Sequence, residues 1–413
     1  MSDHSGEPLL PVREALGRIL AEIRPLEAEE AALDAALGKV LAEPAVAPAD
    51  IPAVDRSAMD GYALRSADLG PGPTELDVTD FIPAGRSAAG LDLTRGQAIR
   101  IMTGAPLPAG ADAVQKVELT EPLGAGRRVR ILRPVDSGEN IFRRGGDLRA
   151  GEVLVEAGAR IRPAEVGALA AAGIVRPRVV RVPRVFVLST GDEVVEPAAA
   201  PLPHQVRNSN GPAVRAFLAG MGVPSADLGI ARDDPDDLDG RLKAGLDGDL
   251  LILIGGVSVG DRDIVSDRLQ SAGVRPIFHR IAMKPGKPLL FGRRGSCLVF
   301  GLPGNPLSAL TGMLVFVVPA VQAMLGIEPS GLAEVPAILT AELQQKPGRE
   351  WYRLSRVRLE DGAFTATPVR SSGSGDLASA VRANAFVVVP AETSRLEPGS
   401  RVRAVLWPSF EMA

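Results

Sequence analysis

Three stretches of this chain carry an unbroken apolar run straight into glycine: Leu188-Ser-Thr-Gly-Asp-Glu193, Ile254-Gly-Gly-Val-Ser-Val-Gly-Asp-Arg-Asp263 and Phe300-Gly-Leu-Pro-Gly-Asn-Pro-Leu-Ser308. The runs themselves, Val185–Leu188, Leu250–Ile254 and Leu298–Gly301, lack the apolar–polar alternation of a half-solvated strand. They therefore read as strands buried on both faces, and helical segments over Gly211–Leu218 and from about Pro306 alternate with them. That pattern predicts a parallel, doubly wound α/β sheet. In such a sheet ligands bind beyond the carboxyl ends of the strands, where glycines let backbone N–H groups approach an anion. None of the three loops has the Gly-Lys-Ser/Thr ending of a phosphate loop, and no G-x-G-x-x-G is present. Any one loop alone is equally compatible with a tight strand-to-helix turn; three in one domain, with hydroxyls and carboxylates among them, favour an anion site.

Other segments fill in a multidomain α/β chain. Val12, Leu16, Ile19, Leu20 and Ile23 recur at helical spacing, which predicts a helix over Pro11–Leu41. From Tyr62 to about Asp147 short apolar runs separated by Gly and Pro predict a β-rich module, and the Ala-rich Pro163–Ala172 returns to helix. Arg353–Leu359, Phe386–Val389 and Val402–Leu406 predict a small terminal barrel. The expected division is residues 1–50 with 148–180 as an N-terminal helical/β domain and 51–147 as an inserted β-rich module. Residues 181–327 form the α/β domain and 328–413 the barrel.

Composition excludes several classes. The 413 residues carry 46 Lys+Arg against 50 Asp+Glu, so there is no basic excess for a large nucleic-acid footprint. One cysteine, Cys297, rules out a disulfide framework and any multi-thiolate metal site. It opens an apolar strand and reads as a buried hydrophobe, and His279 has no Ser/Asp partnership that would make a hydrolase triad. Met1–Pro8 lacks the features of a signal peptide. The longest apolar run, Met313–Leu325, is interrupted by Pro319 and Gln322 and falls short of the roughly 20 residues that span a bilayer. A cytoplasmic protein is expected.

Chemistry is expected at three further places. Met283-Lys-Pro-Gly-Lys-Pro-Leu289 holds Lys284 and Lys287 on a stiff loop, with Arg280 just upstream, so that little entropy is lost when both meet an oxyanion; a solvated turn is the plain alternative. Asp192, Glu193, Asp233, Asp234, Asp261 and Asp263 fall at loop ends of the same domain, and carboxylates beside an anion call for a hard cation such as Mg2+ between them. Asp236 and Asp237 read instead as a helix start with a solvated acidic face. In the N-terminal half, Asp60, Thr103, Arg143, Arg144 and Asp147 sit on polar, Gly-bearing loops, as compatible with structural turns as with a cleft.

Ser57-Ala-Met-Asp-Gly-Tyr-Ala63, Ile101-Met-Thr-Gly-Ala-Pro-Leu-Pro108, Ser189-Thr-Gly-Asp-Glu193, Gly255-Gly-Val-Ser-Val-Gly260, Lys284-Pro-Gly-Lys-Pro288 and Gly301-Leu-Pro-Gly-Asn-Pro306 together resemble the molybdopterin molybdotransferase (MoeA) family, whose eukaryotic relative is the gephyrin E domain. The resemblance spans essentially the whole chain. It implies transfer of molybdate into adenylylated molybdopterin with release of AMP, Mg2+ as cofactor, and a homodimer with its cleft between subunits. Carried over by motif, Asp60, Asp147, Glu193, Asp263 and Lys284 are expected in catalysis. Glu193, Asp233 and Asp263 are expected on the metal. Thr103, Gly255, Gly256, Ser258, Gly260, Lys287, Pro303, Gly304, Asn305, Pro306, Ser308, Arg353 (or Arg349) and Ser374 are expected against pterin, nucleotide or oxyanion. The chain departs from the family at Arg280, where Lys is found in other members, and at Arg56, where Asn is common. Molybdopterin adenylyltransferase and apo-molybdoenzymes are implied as further partners. Two other readings share parts of the pattern: a molybdopterin adenylyltransferase or CinA-like nucleotide hydrolase, and a gephyrin-like scaffold without turnover. Molybdate and tungstate, similar in size and equal in charge, are not distinguished.

Overall fold

The computed structural model describes residues 9–257 and 264–408. The chain divides into two compact units: one takes the start of the chain through Glu29, Gly38–Ala42 and everything from Arg178 onward, the other Glu30–Leu37 and Glu43–Pro177.

The first unit is built on a six-stranded sheet in the order Ser225–Ala231, Val185–Thr190, Leu250–Ile254, Cys297–Leu302, Leu290–Arg294, Arg275–His279. The first four strands are parallel, and Leu290–Arg294 is antiparallel to both of its neighbours, Cys297–Leu302 and Arg275–His279. Every residue of Leu250–Ile254 is buried, as the unbroken apolar run requires. Successive side chains of a strand face opposite ways, and two cores result. Val185, Val187, Leu250, Ile252 and Phe300 pack with Val214 and Leu218 of the Asn210–Gly220 helix and with Leu310, Met313 and Leu314. Leu188, Leu251, Leu253 and Val299 pack with Leu238 and Leu242 of the Pro235–Gly245 helix and with Val265 and Leu269 of Ile264–Ser271. The sheet is doubly wound. Connections leave Val185–Thr190 toward one edge and return past it to Leu250–Ile254, so the switch in strand order lies between these two strands, where ligands of such sheets bind.

Two sequence expectations are corrected. The helix predicted over Pro11–Leu41 runs only over Val12–Ala21. Pro25 disfavours helical geometry at Arg24, and the chain then docks extended, the Leu26 N–H donating to the Met324 carbonyl at 2.8 Å. The apolar run judged too short to span a bilayer belongs to a continuous helical stretch, Pro306–Met324, that is long and apolar enough by length and composition. It is 83% buried inside the protein, and so is a core helix. It accommodates Pro319, which has no N–H, by widening to a π-turn over Met313–Val317. The bland readings hold for Cys297, which is buried with its thiol pushed up to about 12, and for His279, whose Nε2 meets the Val257 carbonyl at 2.9 Å.

Beyond the sheet, Glu350–Glu360, Ala363–Pro368, Glu334–Leu339, Arg401–Leu406 and Ala385–Val389 pair in that order and close back on Glu350–Glu360, a five-stranded barrel. Ala337, Ala366 and Ala404 keep its interior narrow beside Leu339, Val357 and Val387. The short Met283–Lys284 strand adds to it in parallel, with Lys284 opposite Trp351.

The second unit holds another six-stranded sheet, ordered Ala113–Lys116, Gly61–Leu64, Gln97–Ile101, Thr74–Ile82, Arg128–Ile131, Thr120–Leu123, together with the Pro163–Ala171 helix. Gly61 is obligatory: a Cβ there would lie 1.9 Å from the Gln115 carbonyl oxygen.

Asp249 ties the base of the α/β sheet to the chain entering it. Its carboxylate, 8% exposed, accepts from Arg181 Nη1 at 2.7 Å and Nη2 at 2.9 Å and from the Arg184 N–H at 2.8 Å. These bonds, Arg181 first, hold its pKa below the usual carboxylate range. A depressed carboxylate contributes stability that is complete above its unfolded value and is lost as pH falls through the folded one. Asp249→Asn should therefore cost about 3 kcal/mol near pH 7. Denaturant titrations should find the variant and wild-type stabilities converging as pH falls below the ordinary aspartate value of about 3.9.

Candidate anion site

The lysine turn meets the end of the third glycine loop, Leu307 and Ser308, in one cavity of about 440 Å3, which Pro303, Gly304, Asn305 and Pro306 do not line. Its wall includes Lys284, Lys287, Ser308, Arg349, Trp351, Arg353 and Ser371–Ser374. The geometry follows from local pairing. Strand addition fixes Lys284 beside Trp351, and the Ile281 N–H donates to the Lys287 carbonyl at 2.9 Å to close the turn. At Gly286, φ is +111°, a conformation that favours glycine. From the other side, Asn305 starts the core helix with Pro306 in its first turn, the Ser308 and Ala309 N–H groups both donating to the Asn305 carbonyl at 2.9 Å. The Leu307 N–H then donates to the Ser374 carbonyl at 2.9 Å, fastening the barrel's Ser371–Gly375 loop to the start of that helix.

Electrostatically the cavity is one-sided. Four cationic side chains line it and no carboxylate does. Among the described residues none of the four is in an ion pair. Burial, then the charges of Arg349 and Arg353, push the Lys284 pKa down, and burial lowers Arg353. Lys284 Nζ lies 4.5 Å from the centroid of the Trp351 ring and Arg353 Cζ 5.2 Å from it. Arg353 Nη2 donates to the Val369 carbonyl at 2.7 Å, while its buried Nε has no partner among the described residues. Unspent donors, crowded cations and serine hydroxyls suit a small oxyanion of multiple charge.

At the strand tips, Gly255 and Gly256 take φ of +98° and +67°. A Cβ on Gly255 would lie 2.5 Å from the Thr190 carbonyl oxygen, so three tips crowd together here: the Gly255 N–H donates to the Leu302 carbonyl, and Gly304 approaches Gly255 Cα. The Gly304 carbonyl accepts from Asn210 Nδ2 at 2.7 Å, and Pro303 lies between these contacts in the same loop. Thr190 Oγ1 is buried with no partner among the described residues. On the neighbouring loops the Asp233 N–H donates to Asp192 Oδ1 at 3.2 Å, and burial together with the charges of Asp192 and Glu193 raises the Asp233 pKa. Asp234, by contrast, caps the Pro235–Gly245 helix, accepting from the N–H groups of Asp236 and Asp237, which stand in its acidic first turn. Among the described residues no three His, Cys, Asp or Glu side chains converge as a metal site. Ser258, Gly260, Asp261 and Asp263 lie outside the described residues. Glu193, Asp233, Gly255 and Gly256 do not line the lysine cavity.

In the second unit, Asp60 Oδ1 accepts from the Thr103 N–H at 2.7 Å and from its hydroxyl at 2.8 Å, which lower its pKa. Asp147 lines a separate hollow of about 530 Å3 with Asp50, Arg56 and Phe142. Arg143 and Arg144 are committed to structural pairs, with Asp55 at 2.8 Å and Asp50 at 2.6 Å.

Three family models match in order: MoeA N-terminal region (domain I and II) over residues 10–173, probable molybdopterin binding domain over 186–323, and MoeA C-terminal region (domain IV) over 336–407. A molybdopterin molybdenumtransferase of Bacillus subtilis (strain 168) is 34% identical over 404 residues, 96% of this chain and 94% of that protein. The chain belongs to the MoeA family. Another similar protein, molybdopterin molybdenumtransferase of Staphylococcus aureus (strain Mu50), is 33% identical over 413 residues, covering 97% of this chain and 96% of its own. Crystal structures of a molybdopterin biosynthesis MoeA protein from Pyrococcus horikoshii superpose with TM-scores of 0.85 and 0.81 at 30% identity, covering 98% and 97% of this chain and all of theirs. The α/β core, inserted β module and terminal barrel of this MoeA chain agree with that family architecture.

Sequence reasoning missed Trp351, Thr190, Asn210 and the hydroxyls of Ser371 and Ser372. Trp351 had a signal: Trp351 and Arg353 stand two apart, hence on one side of the Glu350–Glu360 strand. Asn210, just before a helical run, was another.

The crowding at the strand tips is testable. Gly255→Ala is expected to lose about 1–3 kcal/mol of stability in denaturant titration, since the new Cβ meets backbone rather than a yielding side chain. Gly273→Ala, also at positive φ (+83°) but with open space around it, should cost about 1 kcal/mol.

Proposed function

We propose that this MoeA-family enzyme is a molybdopterin molybdenumtransferase that takes adenylylated molybdopterin and molybdate to molybdenum cofactor and AMP. One observation carries the reading: a cavity with four cations and no carboxylate, walled by the helix that begins at the third glycine loop. A tetrahedral dianion is the ligand such a wall holds best. Lys284, Lys287 and Arg353, with Arg349 and Ser374, bind and orient it. Gly255, Gly256 and Pro303–Pro306, with Ser308 at the junction and with Ser258 and Gly260, which follow in sequence, receive the pterin phosphate and its nucleotide. Asp60, Thr103 and Asp147 serve the same reaction from the N-terminal half. Because both reactants are anionic, placement and fixed positive charge supply most of the rate.

Burial, and then the charges of Asp192 and Glu193, raise the Asp233 carboxyl, and carboxylates are the donor type a hard divalent cation takes. Glu193 and Asp233, with Asp263, would hold Mg2+, and bound there it supplies neutralisation of the phosphate linkage. The working form is read as a cytoplasmic homodimer, receiving its pterin from the adenylyltransferase and passing cofactor to apo-molybdoenzymes.

The test is reconstitution of purified protein with adenylylated molybdopterin and molybdate or tungstate, following AMP release. Lys284→Ala should lower turnover about a hundredfold or more, the scale of losing a positioned charge, and Asp263→Asn should abolish cofactor formation, with both variants eluting as the wild type on size exclusion. Chelation should stop AMP release and added Mg2+ restore it. Wild-type conversion by both variants refutes the assignment, and AMP consumption in place of release points to an adenylyltransferase.

A further inference from the structure

The arrangement around Lys284 raises a physical difficulty. A lysine side chain has four rotatable methylene links, and this one is partly buried beside Arg349 and Arg353, whose charges repel it. A carboxylate is the usual device for holding an ammonium group, but one here would compete with any incoming anion, and none lines the cavity. What stands beside Lys284 instead is an aromatic face. Lys284 Nζ is 4.5 Å from the Trp351 centroid, and backbone pairing places the two residues directly opposite each other. The same ring carries the Arg353 guanidinium at 5.2 Å.

We propose that Trp351 is a positioning residue of the oxyanion cavity: its ring attracts both cations through the quadrupole of its face, fixes them against their mutual repulsion, and leaves their N–H donors to the ligand. An aromatic face does this without the negative charge that would repel substrate. The role acts through Lys284 and Arg353, so it belongs to oxyanion capture and not to the later bond changes. This inference rests on the oxyanion reading of the cavity.

The test exploits the tryptophan count of two, Trp351 and Trp407. In Trp407→Phe protein, Trp351 is the sole indole, and its emission should change saturably on titration with sodium molybdate or tungstate; Lys284→Ala should abolish that change. Incorporating mono-, di- and trifluorinated tryptophan into the same background weakens the ring's attraction for cations stepwise with little change of shape. The KM for molybdate should climb with each fluorine, reaching about tenfold in all, while kcat moves less than threefold. Trp351→Leu should show a similar KM increase, and Trp351→Phe should recover most of it. A flat KM across the fluorinated series, with the emission response intact, overturns the positioning role and leaves the oxyanion site standing. No emission response to either oxyanion, together with an unchanged KM in Lys284→Ala, overturns the site itself.

Discussion

Positive groups gathered along one partly buried cavity repel, and the structure around Lys284, Lys287, Arg349 and Arg353 bears on how that repulsion is contained. The lysines are pinned by a turn whose ends are hydrogen-bonded, at Ile281 and Arg280, to the carbonyls of Lys287 and Leu289. The arginines flank a tryptophan at the beginning of a barrel strand. Burial lowers the pKa values of both Lys284 and Arg353, and the charges of Arg349 and Arg353 lower that of Lys284 further. Folding stability supports the concentration of charge, and the dianion proposed as ligand would relieve it.

The scaffold that makes this possible is ordinary. Leu250–Ile254 is buried throughout because both faces of its sheet are covered, and that left an unmistakable mark in the sequence. At Gly191 and Gly255 the apolar run did give way to a loop, whereas the strand Cys297–Leu302 continues through Gly301 and turns only at Pro303; the lysine turn did lie against the end of that third loop. Local patterning served less well where a distant contact decided the outcome. The periodicity after Ala21 suggested more helix, yet Pro25 and the docking of Leu26 on Met324 govern there. The strands Arg275–His279 and Leu290–Arg294 went unread because Pro276 and the charged Arg293 and Arg294 mask them, and only pairing with Cys297–Leu302 defines them.

The site was legible to the extent that its chemistry repeats in short motifs. Lys284 and Lys287 announce themselves by spacing alone. Arg353 and Ser374 do not, because the barrel brings them from 60 or more residues away and their neighbours in sequence reveal nothing of it. The polar loops of the second unit split along the same line: Asp60 and Thr103 are bonded to each other, whereas Arg143 and Arg144, which looked equally suited to a cleft, are occupied with Asp55 and Asp50. Arginine on a glycine-bearing loop is as often a strut as a reagent, and only the partner tells which.

The short Met283–Lys284 strand and the Leu307-to-Ser374 bond have a consequence for how the molecule can be taken apart. Both cross from the sheet to the barrel, so each half of the anion cradle belongs to a different piece of chain. A proteolytic nick near Pro329 would leave the lysines on one fragment and Arg349, Arg353 and Ser374 on the other. Neither fragment would be an anion binder by itself, and recombining them would have to rebuild the seam before any ligand could be held.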